Sequence, residues 1–230
     1  MKTLEKPSDP FGFRPVAALA AALALAGCLG GSASPERQFR LSDPTPPPGP
    51  AKPAPGGALA VEAFQARGAL ARERNILYRD QALPNQTQFH PADLWEEPPA
   101  AMVQAALARC LGRSGTFEAV VGRDRHIRPR YSLYATLDRL EQRVTAGCSD
   151  ALIRLDLSVT DDDARKIVLS GTYQAAEPAA DGRIEALLPA FDRALARICA
   201  EVAGDAGRWI ETGTAGAPRR SDPPPPACGR

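Results

Sequence analysis

Apolar and polar positions alternate in three different rhythms along the chain. Val16 to Ala26 is an uninterrupted run of Val, Ala and Leu. Met102, Val103, Ala106, Leu107, Cys110 and Leu111 recur at spacings of three and four, as do Leu187, Leu188, Phe191, Leu195, Ile198, Cys199 and Val202. Each of these two stripes predicts an amphipathic helix with one face buried. Ala151, Ile153, Leu155, Leu157 and Val159 alternate with Leu152, Arg154, Asp156, Ser158 and Thr160. A period of two held that long predicts a strand with one dry face and one largely wet face.

Around these anchors the weaker signals fall into place. Ala58–Phe64, Asn75–Arg79, Phe117–Val121 and Tyr131–Val144 predict strands, and the stretch around Phe89 reads as polar. Asp161–Arg165 supplies a turn, and Lys166–Ala175 returns as a hairpin mate with Ile167, Leu169, Gly171 and Tyr173 on one side. Glu96, Glu97, Pro98 and Pro99 suit the opening of the first helix, where proline is tolerated and acidic groups meet the positive end. Pro189 belongs in or near the first turn of the second helix, since an interior kink costs about 3 kcal/mol. The order is two or three strands, a helix, about four strands and a helix. Hairpins in place of crossovers make this an α+β fold, an antiparallel sheet with two helices packed on one face.

Composition divides the chain. Seven of the fifteen residues from Asp43 to Gly57 are proline, and Ala217–Arg230 holds five more; both read as extended segments. The expected organisation is 1–27 signal peptide, 28–57 N-terminal segment and Pro-rich linker or loop, 58–212 α+β domain, and 213–230 Pro-rich tail. Gln38–Leu41 is strand-like, which leaves open whether residues 36–42 join the sheet.

The apolar run follows a basic start containing Lys2, Lys6 and Arg14, the arrangement of a secretory signal. Its length covers about 16 Å of a roughly 30 Å hydrocarbon layer, too little to span as a helix. Leu25, Ala26, Gly27 and Cys28 then match the hydrophobic, small, small, Cys lipobox of bacterial lipoproteins. That resemblance implies a diacylglycerol thioether on Cys28, a new N-terminus there and a further acyl chain such as palmitate. At about 0.8 kcal/mol per buried methylene, two or more chains hold a domain on a bilayer. Leu29 in place of Asp points to the outer membrane by the sorting rule of that family.

Charge excludes some functions. The chain carries 28 Lys plus Arg against 27 Asp plus Glu. Without residues 1–27 it is neutral, so bulk charge offers no route to nucleic acid or anionic lipid. His90 and His126 sit in polar stretches without ligand spacing, so no metal is expected. Asp161, Asp162 and Asp163 lack the spaced oxygens and Gly of a calcium loop and read as a turn. Asn85, Gln86 and Thr87 form a sequon that a bacterial lipobox protein has no use for. Trp95 is expected to staple the start of the first helix to the sheet. No nucleophile–base pair, carboxylate pair or P-loop glycine pattern stands out, so neither catalysis nor a cofactor is expected. Cys110, Cys148, Cys199 and Cys228 remain beside Cys28; three pairings, or none, are open. Arg123, Arg125, Arg128 and Arg130 form a guanidinium cluster suited to carboxylates of a partner or to phosphate head groups, or a solvated loop.

The lipobox, Asn75–Asp80 (NILYRD), Trp95 with Glu97, Pro98 and Pro99, the helix ending at Leu111, then Ser114, Gly115 and Phe117–Val120, and Tyr131–Glu141 (YSLYATLDRLE) together resemble the PqiC-like family, auxiliary lipoproteins of ABC-type lipid transporters. The resemblance runs from about Cys28 to about Ile210. It implies a non-catalytic outer-membrane lipoprotein that serves a periplasm-spanning MCE-domain protein in lipid transport, with any ATPase on a separate subunit. Two other readings stand beside it. A lipid carrier would hold an acyl chain between helices and sheet in a cavity of about 300 Å³ or more, and an exported enzyme would need converging polar groups.

Overall fold

The computed structural model describes residues 35–45, 57–122 and 128–213. The lipobox, Arg123, Arg125, His126 and Cys228 lie outside the described residues.

One strand organises the rest. β7 (Tyr131–Thr145) runs through the middle of a nine-stranded sheet and is flanked differently on its two sides. On one side it pairs antiparallel with β8 (Cys148–Asp161), from Tyr131 opposite Asp161 to Thr145 opposite Cys148. β8 in turn pairs antiparallel with β9 (Lys166–Pro178). On the other side, three short strands follow β7 in its own direction: β2 (Ala58–Val61) beside Tyr131–Leu133, β3 (Gln65–Ala66) beside Thr136 and Leu137, and β4 (Asn75–Asp80) beside Glu141–Val144. A 3-10 turn, Gly68–Ala71, separates the second piece from the third. β6 (Ala119–Val121) extends the sheet beyond β2, while β5 (Gln88–Trp95) and β1 (Arg37–Phe39) extend it beyond β4.

The α+β class and its two helices stand, and the sheet is mixed in place of purely antiparallel. The parallel pairs arise because the chain leaves β2–β4 and returns to β7 only after β5, a helix and β6, and such a crossover brings strands back in the same direction. Residues 37–39 do join the sheet, parallel to Asp93–Trp95, so the Pro-rich stretch interrupts the fold rather than preceding it.

Helix α1 (Pro99–Ser114) has Pro98 at its N-cap and Pro99 in its first turn, where a missing N–H costs nothing. Gly115, at φ 72°, ends it in the left-handed conformation that glycine adopts without strain. Helix α2 (Ile184–Thr212) places Pro189 one residue into its second turn. The expected stripes are the buried faces: Met102 to Leu111 on α1, and Leu187, Phe191, Leu195, Ile198, Cys199 and Val202 on α2. They meet Leu133, Leu137, Leu140, Ile153, Leu155 and Leu157 of the sheet in one core. Each such side chain contributes about 1.5–3 kcal/mol by leaving water. Cys110 and Cys199, both fully buried, are joined by a disulfide that ties α1 to α2 across 89 residues of sequence. Cys148 is disulfide-bonded as well.

Candidate functional site

Four elements converge at one end of the sheet: the start of β7, the end of β8, the start of β9 and the last turns of α2. The Asp161–Arg165 turn builds this end. Asp161 accepts the Ala164 N–H at 2.8 Å and an Arg130 guanidinium N–H at 3.2 Å. These contacts hold its carboxyl below the usual range, the Ala164 N–H first and Arg130 further down, with burial opposing. Asp162 accepts the hydroxyls of Ser132 at 2.7 Å and Thr160 at 2.8 Å. Arg128, 87% exposed, lies 3.7 Å from Asp163. The three aspartates are therefore spent on the turn and its neighbouring arginines. Among the described residues no group of three or more His, Cys, Asp or Glu side chains could hold a metal ion.

Aromatic packing fills the floor of the same end. Tyr131 is buried, its hydroxyl pushed to a higher pKa chiefly by burial. Trp209 meets it edge-on with ring centroids 5.8 Å apart, and the Lys166 ammonium sits 5.7 Å from the Trp209 ring. Ile167 projects outward, 65% exposed. Its expected place was the buried side of β9 with Leu169 and Tyr173. The register shifts between Val159 and Thr160, so that Thr160 faces Ile167 while Val168 and Leu169 are both buried. The irregularity turns Ile167 to solvent.

Among the described residues, the space between α2 and the sheet leaves little room for a ligand. The apolar void between α2 and the sheet, bordered by Phe117, Tyr131, Val159, Leu169, Ala206 and Trp209, holds about 10 Å³. That is no more than one water's worth. Larger concavities are open and polar. One of about 580 Å³ runs over the sheet face away from the helices, past Tyr134, Thr136, Asp156, Ser158 and Ser170. Another of about 610 Å³ lies between the segment after β1 and the start of α1, where Arg109 pairs with Asp43.

Of the residues singled out from sequence, Arg128 and Arg130 come together at the Asp161–Asp163 turn. Arg130 is engaged there, with its guanidinium 5.1 Å from the Tyr131 ring. His90 is half-buried, with Nε2 3.0 Å from Gln142 Oε1 and its ring 4.9 Å from that of Tyr78. Trp95 is fully buried at the end of β5, edge-on to Phe191 at 5.5 Å. It packs the end of β5 against α2 through Phe191. Sequence reading missed Lys166, Ile167 and Trp209 as one surface. The only signal was an apolar residue beside a turn, which the alternation assigned to the core.

Solved structures share the fold. A protein of Xanthomonas campestris, XCC0632, superimposes with a TM-score of 0.63 at 22% identity, covering 77% of this chain and 96% of its own. An uncharacterized protein superimposes with a TM-score of 0.58 at 13% identity, over 74% of this chain and 98% of its own. No curated protein matches. Residues 39–203 match the family model of the ABC-type transport auxiliary lipoprotein component. Among the described residues no helix is long and apolar enough to cross a membrane. With a match that takes in the sheet and most of both helices, the chain belongs to the ABC-type transport auxiliary lipoprotein family.

Proposed function

We propose that the protein is a non-catalytic adaptor, anchored by acyl chains on Cys28 to the periplasmic face of the outer membrane, that docks an MCE-domain protein of an ABC-type lipid transporter. The observation that carries the adaptor over a carrier is the filled interior: about 10 Å³ of void between α2 and sheet against the roughly 300 Å³ that an enclosed ligand requires. The fully buried Cys110–Cys199 bridge supports an oxidising compartment such as the periplasm.

The end bearing Arg128, Lys166, Ile167 and Trp209 is the docking surface in this reading. It combines an exposed apolar side chain with cations, and a partner with carboxylates around an apolar centre would fit it.

Crosslinking from envelope membranes tests the proposal, with recovery of an MCE-domain protein expected and recovery of no transporter subunit overturning it. Arg128→Glu together with Ile167→Asp should cut that recovery at least tenfold; unchanged recovery moves the docking surface elsewhere. Labelled lipid precursor should mark the wild type and spare Cys28→Ser, and label retained by the variant removes the anchor.

A further inference from the structure

The sheet face away from the helices changes character along its length. Midway along β8 its charges answer one another: Arg154 lies 3.5 Å from Asp138, and Arg67 reaches Asp138 at 3.7 Å and Asp156 at 3.0 Å. The next two rungs toward the β8–β9 turn are Thr136, Asp156 and Thr172, then Tyr134, Ser158 and Ser170, each set side by side on β7, β8 and β9. Here most groups are unspent. Thr172 donates to Asp156 at 2.7 Å, but among the described residues nothing hydrogen-bonds the hydroxyls of Tyr134, Thr136, Ser158 and Ser170. The Tyr134 ring is 47% exposed beside them.

These rungs floor the open concavity of about 580 Å³, which lies within the roughly 300–1,000 Å³ of ligand clefts. The chemistry of its floor narrows the occupant. An acyl chain laid there would strip water from hydroxyls and a carboxylate and give no hydrogen bond in return. A phosphate needs cations, and the described border holds the carboxylates Glu62 and Asp156 but no Lys, Arg or His. Arg67, just outside it, is held by Asp156 and Asp138. The centre of a protein interface is packed from apolar and aromatic side chains with charge kept to the rim, whereas this floor sets one aromatic ring among hydroxyls around a carboxylate. An uncharged ligand with an apolar face and a hydroxyl-rich edge satisfies all of these groups, and a sugar ring has that form. Its C–H face can lie on Tyr134, its hydroxyls can exchange hydrogen bonds with Thr136, Ser158 and Ser170, and Asp156, already oriented by Arg67 and Thr172, can accept two more. From Tyr134 to Ser170 is two strand spacings, about 9.6 Å, room for two linked rings.

We infer that this groove binds a neutral oligosaccharide, with Tyr134 as its stacking platform. The site uses none of Arg128, Lys166, Ile167 and Trp209, so it stands or falls independently of the docking surface. A chain held there gives the domain a grip on carbohydrate while its other end stays open to a protein.

Saturation-transfer NMR on the full-length protein, in the sugar-free detergent lauryldimethylamine oxide, tests the site with maltotetraose, the tetramer of N-acetylglucosamine, and tetragalacturonate. At least one neutral tetramer should saturate with a Kd of about 1 mM or tighter, with the strongest transfer to its ring C–H protons. Tetragalacturonate should bind about tenfold more weakly, or not at all, because Glu62 and Asp156 repel it. Tyr134→Ala, which removes the platform, and Ser170→Arg, which fills the groove, should each weaken binding by about tenfold or more, while Tyr134→Phe keeps the ring and most of the affinity. Both side chains are exposed, so these variants should unfold at the wild-type temperature. Failure of both neutral tetramers to saturate overturns the site, as does unchanged affinity in either Tyr134→Ala or Ser170→Arg. Tetragalacturonate binding as tightly as the neutral tetramers overturns the assignment to an uncharged chain.

Discussion

The two flanks of β7 are built by opposite strategies. On the β8–β9 side, two hairpins add strands of fourteen and thirteen residues with the register kept almost throughout. On the other side, β2, β3 and β4 supply four, two and six residues, broken by loops and a 3-10 turn. The hairpin flank is local in sequence and held chiefly by its own ladder and by α2. The interrupted flank pairs residues far apart in sequence, Leu59 with Tyr131, and depends on α1 staying in place. Continuity makes the first flank self-sufficient, whereas the second borrows stability from the helix layer, and the Cys110–Cys199 bridge lies where that loan is secured.

The comparison is broken most severely by removing the bridge. Cys110→Ala with Cys199→Ala should lower stability by about 4.6 kcal/mol, the entropy of an 89-residue closure. Urea unfolding measures the loss, and hydrogen exchange should show β2–β4 opening well before β8 and β9. Equal opening of both flanks would end the distinction. Next in size are matched truncations. Leu77→Ala on the interrupted flank and Leu155→Ala on the hairpin flank, both nearly unexposed, should each cost about 3 kcal/mol. Only the first should leave hairpin amides protected in partly opened molecules. Tyr173→Phe sharpens the picture, because the buried Tyr173 hydroxyl donates to Asp205 at 2.9 Å and ties β9 to α2. Its loss should cost about 1–2 kcal/mol by thermal unfolding.

The smallest effect depends on pH. The Asp161 carboxyl is depressed by the Ala164 N–H and by Arg130. Such a group stabilises the fold above its unfolded value of about 3.9 and loses that contribution as pH falls through the lower folded value. Asp161→Asn should therefore cost about 1 kcal/mol at neutral pH. The difference between variant and wild type should narrow as pH falls below the unfolded value and close once pH is below the lower folded value, as read from chemical unfolding across pH.

Legibility followed the same division. β8 and both helices were readable because each keeps one period over many residues, and β7 and β9 because most of their length does, away from one register shift each. β5 was not. Its sequence, QFHPADLW, has Pro91 in the middle and half-exposed positions around it. The proline is tolerated because β1 pairs only with Asp93–Trp95, and the register against β4 breaks between Asn75 and Leu77. The Asn75 side-chain amide caps the His90 carbonyl at 3.0 Å in that gap. Parallel pairing was also hidden, since alternation reports which face a residue occupies and never which strand lies beside it. At the candidate site, the arginines around the β7 entrance were visible as a charge cluster. Their partners in the Asp161–Asp163 turn, and the Ile167 turned out beside them, depended on a register shift that no local pattern announces.

The placement of β2, β3 and β4 against a strand made about seventy residues later bears on how the chain folds as it is made. When the leading part of the polypeptide emerges, its strand segments have nothing to add to, because β7 is still behind them. The early half thus stays slack, and it can only lock once the later hairpins have emerged and offered their open edge.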